Sequence, residues 1–358
     1  MKQYLSLAGF AIALGLIWQS CKPDKPQNNV SGPTLLALEY PDHFTVPNIP
    51  ADNPTTEEGV QLGRKLFYDP ILSGDNTQSC SNCHNADFAF TDNALQFSIG
   101  IDKKAGNRNS MPIINLAWDK LFFWDGRAHS LEEQALGPVE NPIEMHETWA
   151  NAVNELQNNA TYPDLFKSAF GTPTITKELV AKAIAQFERT LISGYSVFDY
   201  MYLATGQVNA AINAPQNAVE RGMKLFYGKA DCWHCHGNVG DFLFTDRQFH
   251  NNGLDSISTD PGLAGITKNP FDHGKFKTPT LRNLAFSAPY MHDGRFKTIE
   301  AVIEHYNSGV KNSPTLDPNM KELAKGLQLT DIEKAELKEF LLTLSDNQFI
   351  NNINFKKP

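Results

Sequence analysis

The chain carries Cys-x-x-Cys-His twice, as Cys80-Ser81-Asn82-Cys83-His84 and as Cys232-Trp233-His234-Cys235-His236. Two thiols at this spacing can both form thioethers to the vinyl groups of one haem, and the histidine that follows then stands against the iron as proximal ligand. The motifs predict two covalently bound c-type haems, attached through Cys80, Cys83, Cys232 and Cys235, with His84 and His236 on the irons. Whatever this chain folds into has to enclose two such groups. The competing readings are a zinc ribbon and a redox dithiol. Zinc knuckles of this type lie about 15–20 residues apart, whereas His84 and Cys232 are 148 positions apart. A dithiol does not require the trailing histidine, still less twice.

A length of 358 residues suits about two domains. The net charge of −9 argues against nucleic acid as a partner. Lys2 and the apolar run from Leu5 to Trp18 read as a signal peptide, and Ser20-Cys21 as the end of a lipoprotein signal. The run is too short for a good membrane-spanning helix. The lipobox is imperfect, because Trp18 and Gln19 follow Ile17. Four of the five cysteines belong to the haem motifs, and Cys21 is the fifth. Residues 1–21 are thus expected to be a lipoprotein-type signal ending at a lipidated Cys21, and residues 22–34, polar and Pro-rich, a flexible tether. The expected location is the periplasm or cell envelope, with the membrane touched only through the lipid anchor.

The rest of the chain repeats itself. Gly63-Arg64-Lys65-Leu66-Phe67-Tyr68 precedes the first motif and Gly222-Met223-Lys224-Leu225-Phe226-Tyr227 the second. Each closes an amphipathic helix suited to a haem edge. Asn115-Leu116-Ala117 matches Asn283-Leu284-Ala285, and Trp124-Asp125-Gly126-Arg127 matches His292-Asp293-Gly294-Arg295. Ser130-Leu131-Glu132 then matches Thr298-Ile299-Glu300. Leu179–Leu191 and Asp331–Leu344 show helical periodicity, and no run alternates convincingly as a strand. The fold class is all-α: two cytochrome c-like haem domains, 35–205 and 206–350, with long loops and haems near a shared interface.

The duplication allows the halves to be compared position by position. Thr298 is a good N-cap and Gly309 a good C′ residue for one helix. Between them Ile299, Val302, Ile303 and Tyr306 share one face, with His305 about 100° away. Tyr306 lies 14 residues after His292, and the residue 14 after Trp124 is Pro138. A tyrosine phenolate can bind haem iron and a proline cannot. One iron is therefore expected to be closed and the other open. Spacing alone equally allows Tyr306 to be a core aromatic, with Met291 or His292 as axial ligand instead.

These residues resemble the bacterial dihaem cytochrome c peroxidases and their relative MauG over essentially the whole mature chain. The marks are Leu62-Gly63-Arg64-Lys65-Leu66-Phe67, both haem motifs, Arg108-Asn109-Ser110, Phe123-Trp124-Asp125-Gly126-Arg127, Gly137-Pro138-Val139, Leu281-Arg282-Asn283 and Ala288-Pro289-Tyr290-Met291-His292. The resemblance implies a peroxidatic N-terminal haem and an electron-entry C-terminal haem. It makes Glu144 the distal acid–base carboxylate, Gln134 its companion amide and Trp124 the relay between haems. On spacing alone these would read as a surface glutamate, a helix-surface glutamine and a core tryptophan. It further implies Ca2+ between the domains, on Asn109 and the carbonyls of Ser287 and Pro289.

Two departures point to the MauG-like branch. Ser98-Ile99-Gly100 is followed by Ile101, where many members carry a capping histidine, and Tyr306 stands where the typical peroxidase has methionine. The implied activity is reduction of hydrogen peroxide with electrons from a small cytochrome c or cupredoxin. One alternative is a MauG-like oxidase that uses high-valent haem to modify residues of a protein substrate. A different class is a non-catalytic dihaem electron-transfer protein or redox sensor, which would need both irons six-coordinate at rest.

Overall fold

The computed structural model describes residues 32–92, 94–321 and 325–358. The expected signal, the lipidation at Cys21 and most of the 22–34 tether lie outside the described residues. Helices dominate, and the strands among the described residues are one antiparallel pair, β1 (Phe249–His250) with β2 (Phe276–Lys277). No described helix is long and apolar enough to cross a membrane.

Six helices position the rest: α1 (Glu57–Tyr68), α2 (Leu131–Glu140), α3 (Lys177–Arg189), α4 (Ala218–Tyr227), α5 (Ile299–Glu304) and α6 (Asp331–Leu342). Thr56 caps α1 by accepting from the Gly59 amide at 3.0 Å, and Thr330 and Glu333 form a reciprocal capping box on α6. Buried residues of α1 fall at Gly59, Leu62, Gly63, Leu66 and Phe67, one stripe at helical period.

That stripe packs on α3, and α4 packs on α6 in the same way. A Cβ added to Gly63 would lie 1.9 Å from the Ala183 carbonyl oxygen, and one added to Gly222 would lie 1.9 Å from that of Glu336. Only glycine lets these backbones meet. Three aromatic residues repeat around each crossing. Phe67 meets Phe90 at 5.9 Å and Phe187 at 5.4 Å, while Phe226 meets Phe244 at 6.0 Å and Phe340 at 5.2 Å.

The repeated Asn-Leu-Ala turns latch each half to the segment after its last long helix. Asn115 donates its amide N–H to the Leu191 carbonyl at 2.9 Å, and Asn283 donates to that of Leu344 at 3.2 Å. Both asparagines adopt positive φ, +56° and +62°, which asparagine tolerates better than most residues.

The core divides into two main clusters. One runs from Leu62 to Leu191 and takes in Phe349 and Phe355 from the end of the chain. The other runs from Phe198 to Leu344. The chain end is tied back by Arg64, which donates to the Lys356 carbonyl at 2.7 Å, and by the Tyr68 hydroxyl, which donates to that of Phe355 at 2.7 Å.

The helix expected over 298–309 begins as predicted, with the Thr298 hydroxyl accepting from the Ala301 amide at 3.2 Å. It does not continue as one α-helix. After Glu304 it widens into a π-turn, His305–Gly309. In this turn His305 is buried, and its Nε2 faces the Asn252 carbonyl at 3.1 Å.

Candidate haem cavities

Each Cys-x-x-Cys-His motif forms a short helix or turn that brings its histidine to a cavity wall. Nδ1 of His84 faces the Phe90 carbonyl at 2.8 Å, and Nδ1 of His236 faces that of Phe244 at 3.1 Å. An N–H at Nδ1 donates there, which leaves Nε2 with its lone pair free for a metal. Phe90 and Phe244 have φ of +59° and +53°, unusual for bulky residues. In both copies it is that residue's carbonyl that meets the histidine. Burial holds both imidazoles below their ordinary pKa, His236 at about 4. They are therefore neutral, the form that ligates.

The four motif cysteines are in no disulfide. Burial pushes Cys80, Cys232 and Cys235 up to about 12 and Cys83 to about 11. That is the wrong direction for a redox-active dithiol. Among the described residues no three His, Cys, Asp or Glu side chains converge to hold a metal ion, so the two motifs do not build one zinc site. Two cavities, one reached by Cys83 and His84 and the other by Cys232, Cys235 and His236, fit two c-type haems.

The first cavity, about 470 Å³, is lined by Cys83, His84, Gln134, Pro138 and Glu144 among others. Gln134 and Pro138 are four residues apart on α2 and so share a helix face. Glu144 lies in the loop that follows. Its Oε1 accepts from Asn141 Nδ2 at 2.6 Å, and its backbone carbonyl accepts from the Ile101 amide at 3.0 Å. Burial raises the Glu144 pKa, while the Asn141 hydrogen bond and the Arg127 charge pull it down. Ile101 is not among the lining residues, and its side chain lies toward Gly74 instead.

The second cavity, about 190 Å³, is lined by Cys232, Cys235, His236, Met291, His292 and Tyr306, with leucines and isoleucines of α5 and α6. Burial pushes the Tyr306 phenol up to about 12, and a hydrogen bond from Asn252 acts the other way. A nearby metal cation would oppose the burial effect. His292 stacks on Phe276 with ring centroids 3.6 Å apart. All three candidate axial side chains therefore reach the same cavity.

Trp124 lines both cavities. It is 7% exposed, and its Nε1 donates to the Asn109 carbonyl at 2.8 Å. The Asn109 amide in turn donates to the His292 carbonyl at 2.7 Å. Asn109 thus joins the two matched turns, Trp124-Asp125-Gly126-Arg127 and His292-Asp293-Gly294-Arg295. Asn109, Ser287 and Pro289 line the second cavity together. The Asn109 Nδ2 already donates to the Leu95 and Gln96 carbonyls at 3.2 and 3.1 Å. Its side-chain oxygen is the donor atom left for a hard cation such as Ca2+.

The model for the family described as Di-haem cytochrome c peroxidase matches residues 57–207. The chain is 39% identical to the methylamine utilization protein MauG of Methylorubrum extorquens over 298 residues, covering 82% of this chain and 80% of the relative. It is 36% identical to the cytochrome c551 peroxidase of Nitrosomonas europaea, over 72% of this chain and 75% of that protein. The chain belongs to the dihaem cytochrome c peroxidase and MauG family. Membership makes it an oxidoreductase of the dihaem peroxidase type and implies two c-type haems. Among solved structures it matches a MauG-like protein associated with microbial copper homeostasis, with a TM-score of 0.80 and 34% identity over 90% of this chain and 99% of that one.

Several residues that organise these cavities had no individual signal in the sequence. Asn141 orients Glu144, and Asn252 touches Tyr306. Arg108 binds Asp260 through Nε and Nη2 at 2.7 and 2.8 Å and Asp125 through Nη1 at 2.6 Å, which holds the Trp124 turn. Arg108 and Asp125 belong to the Arg108-Asn109-Ser110 and Phe123–Arg127 motifs, but Asp260, which Arg108 also binds, is 152 positions from Arg108.

Proposed function

We propose that this chain reduces hydrogen peroxide to water at an open N-terminal haem, with electrons passed through the C-terminal haem from a small cytochrome c or cupredoxin. The observation that carries the reading is the contrast in cavity walls. Pro138, Gln134 and Glu144 face the first cavity, while Tyr306, Met291 and His292 face the second. Haem bound at His84 would supply the iron and the electrons for cleavage of the O–O bond.

The chain's own residues manage the proton. The balance is one peroxide, two electrons and two protons to two waters. Glu144, as the carboxylate, can take a proton from one peroxide oxygen and return it to the other as that oxygen leaves as water. Asn141 keeps that carboxylate oriented through its 2.6 Å hydrogen bond. The Gln134 amide can donate to peroxide and hold it in line. Trp124, on the wall common to both cavities, is the relay, and Tyr306 would hold the iron of a haem bound in the second cavity. The remaining proposals are two cytochrome c-like domains meeting at that wall, Ca2+ at Asn109, Ser287 and Pro289, and an envelope location with lipid attachment at Cys21.

The test is the resting diferric protein. It should bind cyanide and react with peroxide without prior half-reduction, and it should turn over with a reduced cytochrome. A six-coordinate, unreactive N-terminal haem would overturn the proposal. Tyr306, Ile101 in place of a histidine, and the identity to MauG favour a second reading, a protein-modifying oxidase. Poor peroxidase turnover with a long-lived oxidised state after peroxide would select it.

A further inference from the structure

The second cavity contains more candidate ligands than one iron can use, so something has to choose among them. Asn252 stands where that choice is made. Its Nδ2 lies 3.2 Å from the Tyr306 hydroxyl and 3.4 Å from the Met291 sulfur. Its backbone carbonyl accepts from His305 Nε2 at 3.1 Å. One residue therefore holds the π-turn through His305 and meets both Tyr306 and Met291 through a single amide nitrogen.

Asn252 is itself firmly placed. Its neighbour Asn251 donates to Ser313 Oγ at 3.0 Å and Thr315 Oγ1 at 2.8 Å. On the other side the Gly253 carbonyl accepts from the Lys311 amide at 2.7 Å. Just before it, β1 is paired to β2.

We propose that Asn252 is the positioning residue that makes Tyr306, rather than Met291, the axial side chain of the C-terminal haem. The inference rests on the reading of Tyr306 as that haem's axial residue. The physical reason is an asymmetry in hydrogen bonding. With the phenolate as ligand, Asn252 donates to an anionic oxygen, and charge-assisted hydrogen bonds are roughly twice as strong as neutral ones. With methionine as ligand, the same N–H meets a neutral phenol. The amide thus favours the tyrosinate form selectively. Removing it should shift the tyrosine-to-methionine ratio by about tenfold toward methionine, the difference between a charged and a neutral hydrogen bond.

The experiment uses the full dihaem protein with Asn252→Leu. A methionine-to-iron charge-transfer band should appear in the near infrared, the low-spin EPR signal of one haem should change, and that haem's midpoint potential should rise. Adding Met291→Leu should abolish the new band. Asn252→Asp, nearly isosteric, covers the case in which the leucine variant does not fold. It loses the donor, sets a carboxylate against the phenolate, and should shift ligation the same way. A spectrum and potential unchanged in both variants overturns the inference. So does a change that persists with Met291→Leu.

Tyr306→Phe, measured alongside, separates the two levels. If it leaves the second haem's spectrum unchanged, the tyrosine reading itself fails. If it alters the spectrum while both Asn252 variants match wild type, only the role of Asn252 fails.

Discussion

The two cavities share a frame and differ in their walls. Gly63 and Gly222 let a helix pair close in each half, and a phenylalanine carbonyl orients His84 and His236 alike. The turns carrying Trp124 and His292 both meet Asn109. Opposing these likenesses, the first cavity has Glu144, Gln134, Arg108, Arg127 and Glu188 in its wall, while the wall around Tyr306 in the second is the more apolar of the two. The frame fixes where a haem can be held. In the proposed function, the few wall positions outside it decide whether a bound haem could also take substrate.

The sharpest way to break this contrast is Glu144→Gln. Peroxide turnover should fall by about 10²–10⁴-fold, the usual contribution of a positioned acid–base group, while the spectrum of the second haem stays unchanged. Steady-state oxidation of a reduced cytochrome measures it. Equal loss in both haem spectra would mean that Glu144 supports the fold instead.

A pH profile sharpens the same point. Burial raises the Glu144 pKa above the ordinary glutamate value of 4.5, and the residue must be ionised to accept a proton. Peroxide reactivity should therefore be full above the raised pKa and fall about tenfold per pH unit below it. Glu144→Gln should lack that acid limb in stopped-flow measurements.

The shared frame predicts equal sensitivity. Gly63→Ala and Gly222→Ala should each destabilise by about 1–3 kcal/mol through overpacking against a carbonyl. Thermal unfolding followed by circular dichroism would show it. A large effect at only one of the two sites would show that the frames are less alike than their geometry.

The smallest effect is expected at the common wall. Trp124→Phe removes the hydrogen bond to Asn109, which costs about 0.5–1.5 kcal/mol of stability. It should slow electron transfer between the haems without altering either haem's ligation, as read by flash-initiated reduction of one haem. Unchanged transfer would leave Trp124 as a packing residue.

Much of the frame was legible because it is local or repeated. Thr298 as N-cap and the helices that end at Tyr68 and Tyr227 follow from near-neighbour spacing. The π-turn at His305 was not legible, because an i, i+3, i+4, i+7 pattern fits an α-helix as well. Nor was the orientation of Ile101. Its amide donates to the Glu144 carbonyl, 43 positions later, and its side chain comes to lie beside Gly74.

The sequence by itself determined that there are two haem attachment motifs, that the short motifs around them recur in the same order, and that proline and tyrosine stand at the same spacing from matched turns. Those are statements about residue type and spacing, and covalent chemistry and helical period convert them directly into structure. Only the tertiary structure decided which side chains meet. Asn252 reaches Tyr306 from 54 positions away, Asp260 reaches Arg108 from 152, and Trp124 comes to lie on a wall common to both cavities. Contacts of that kind depend on how helices and loops pack, and packing is set by the whole chain.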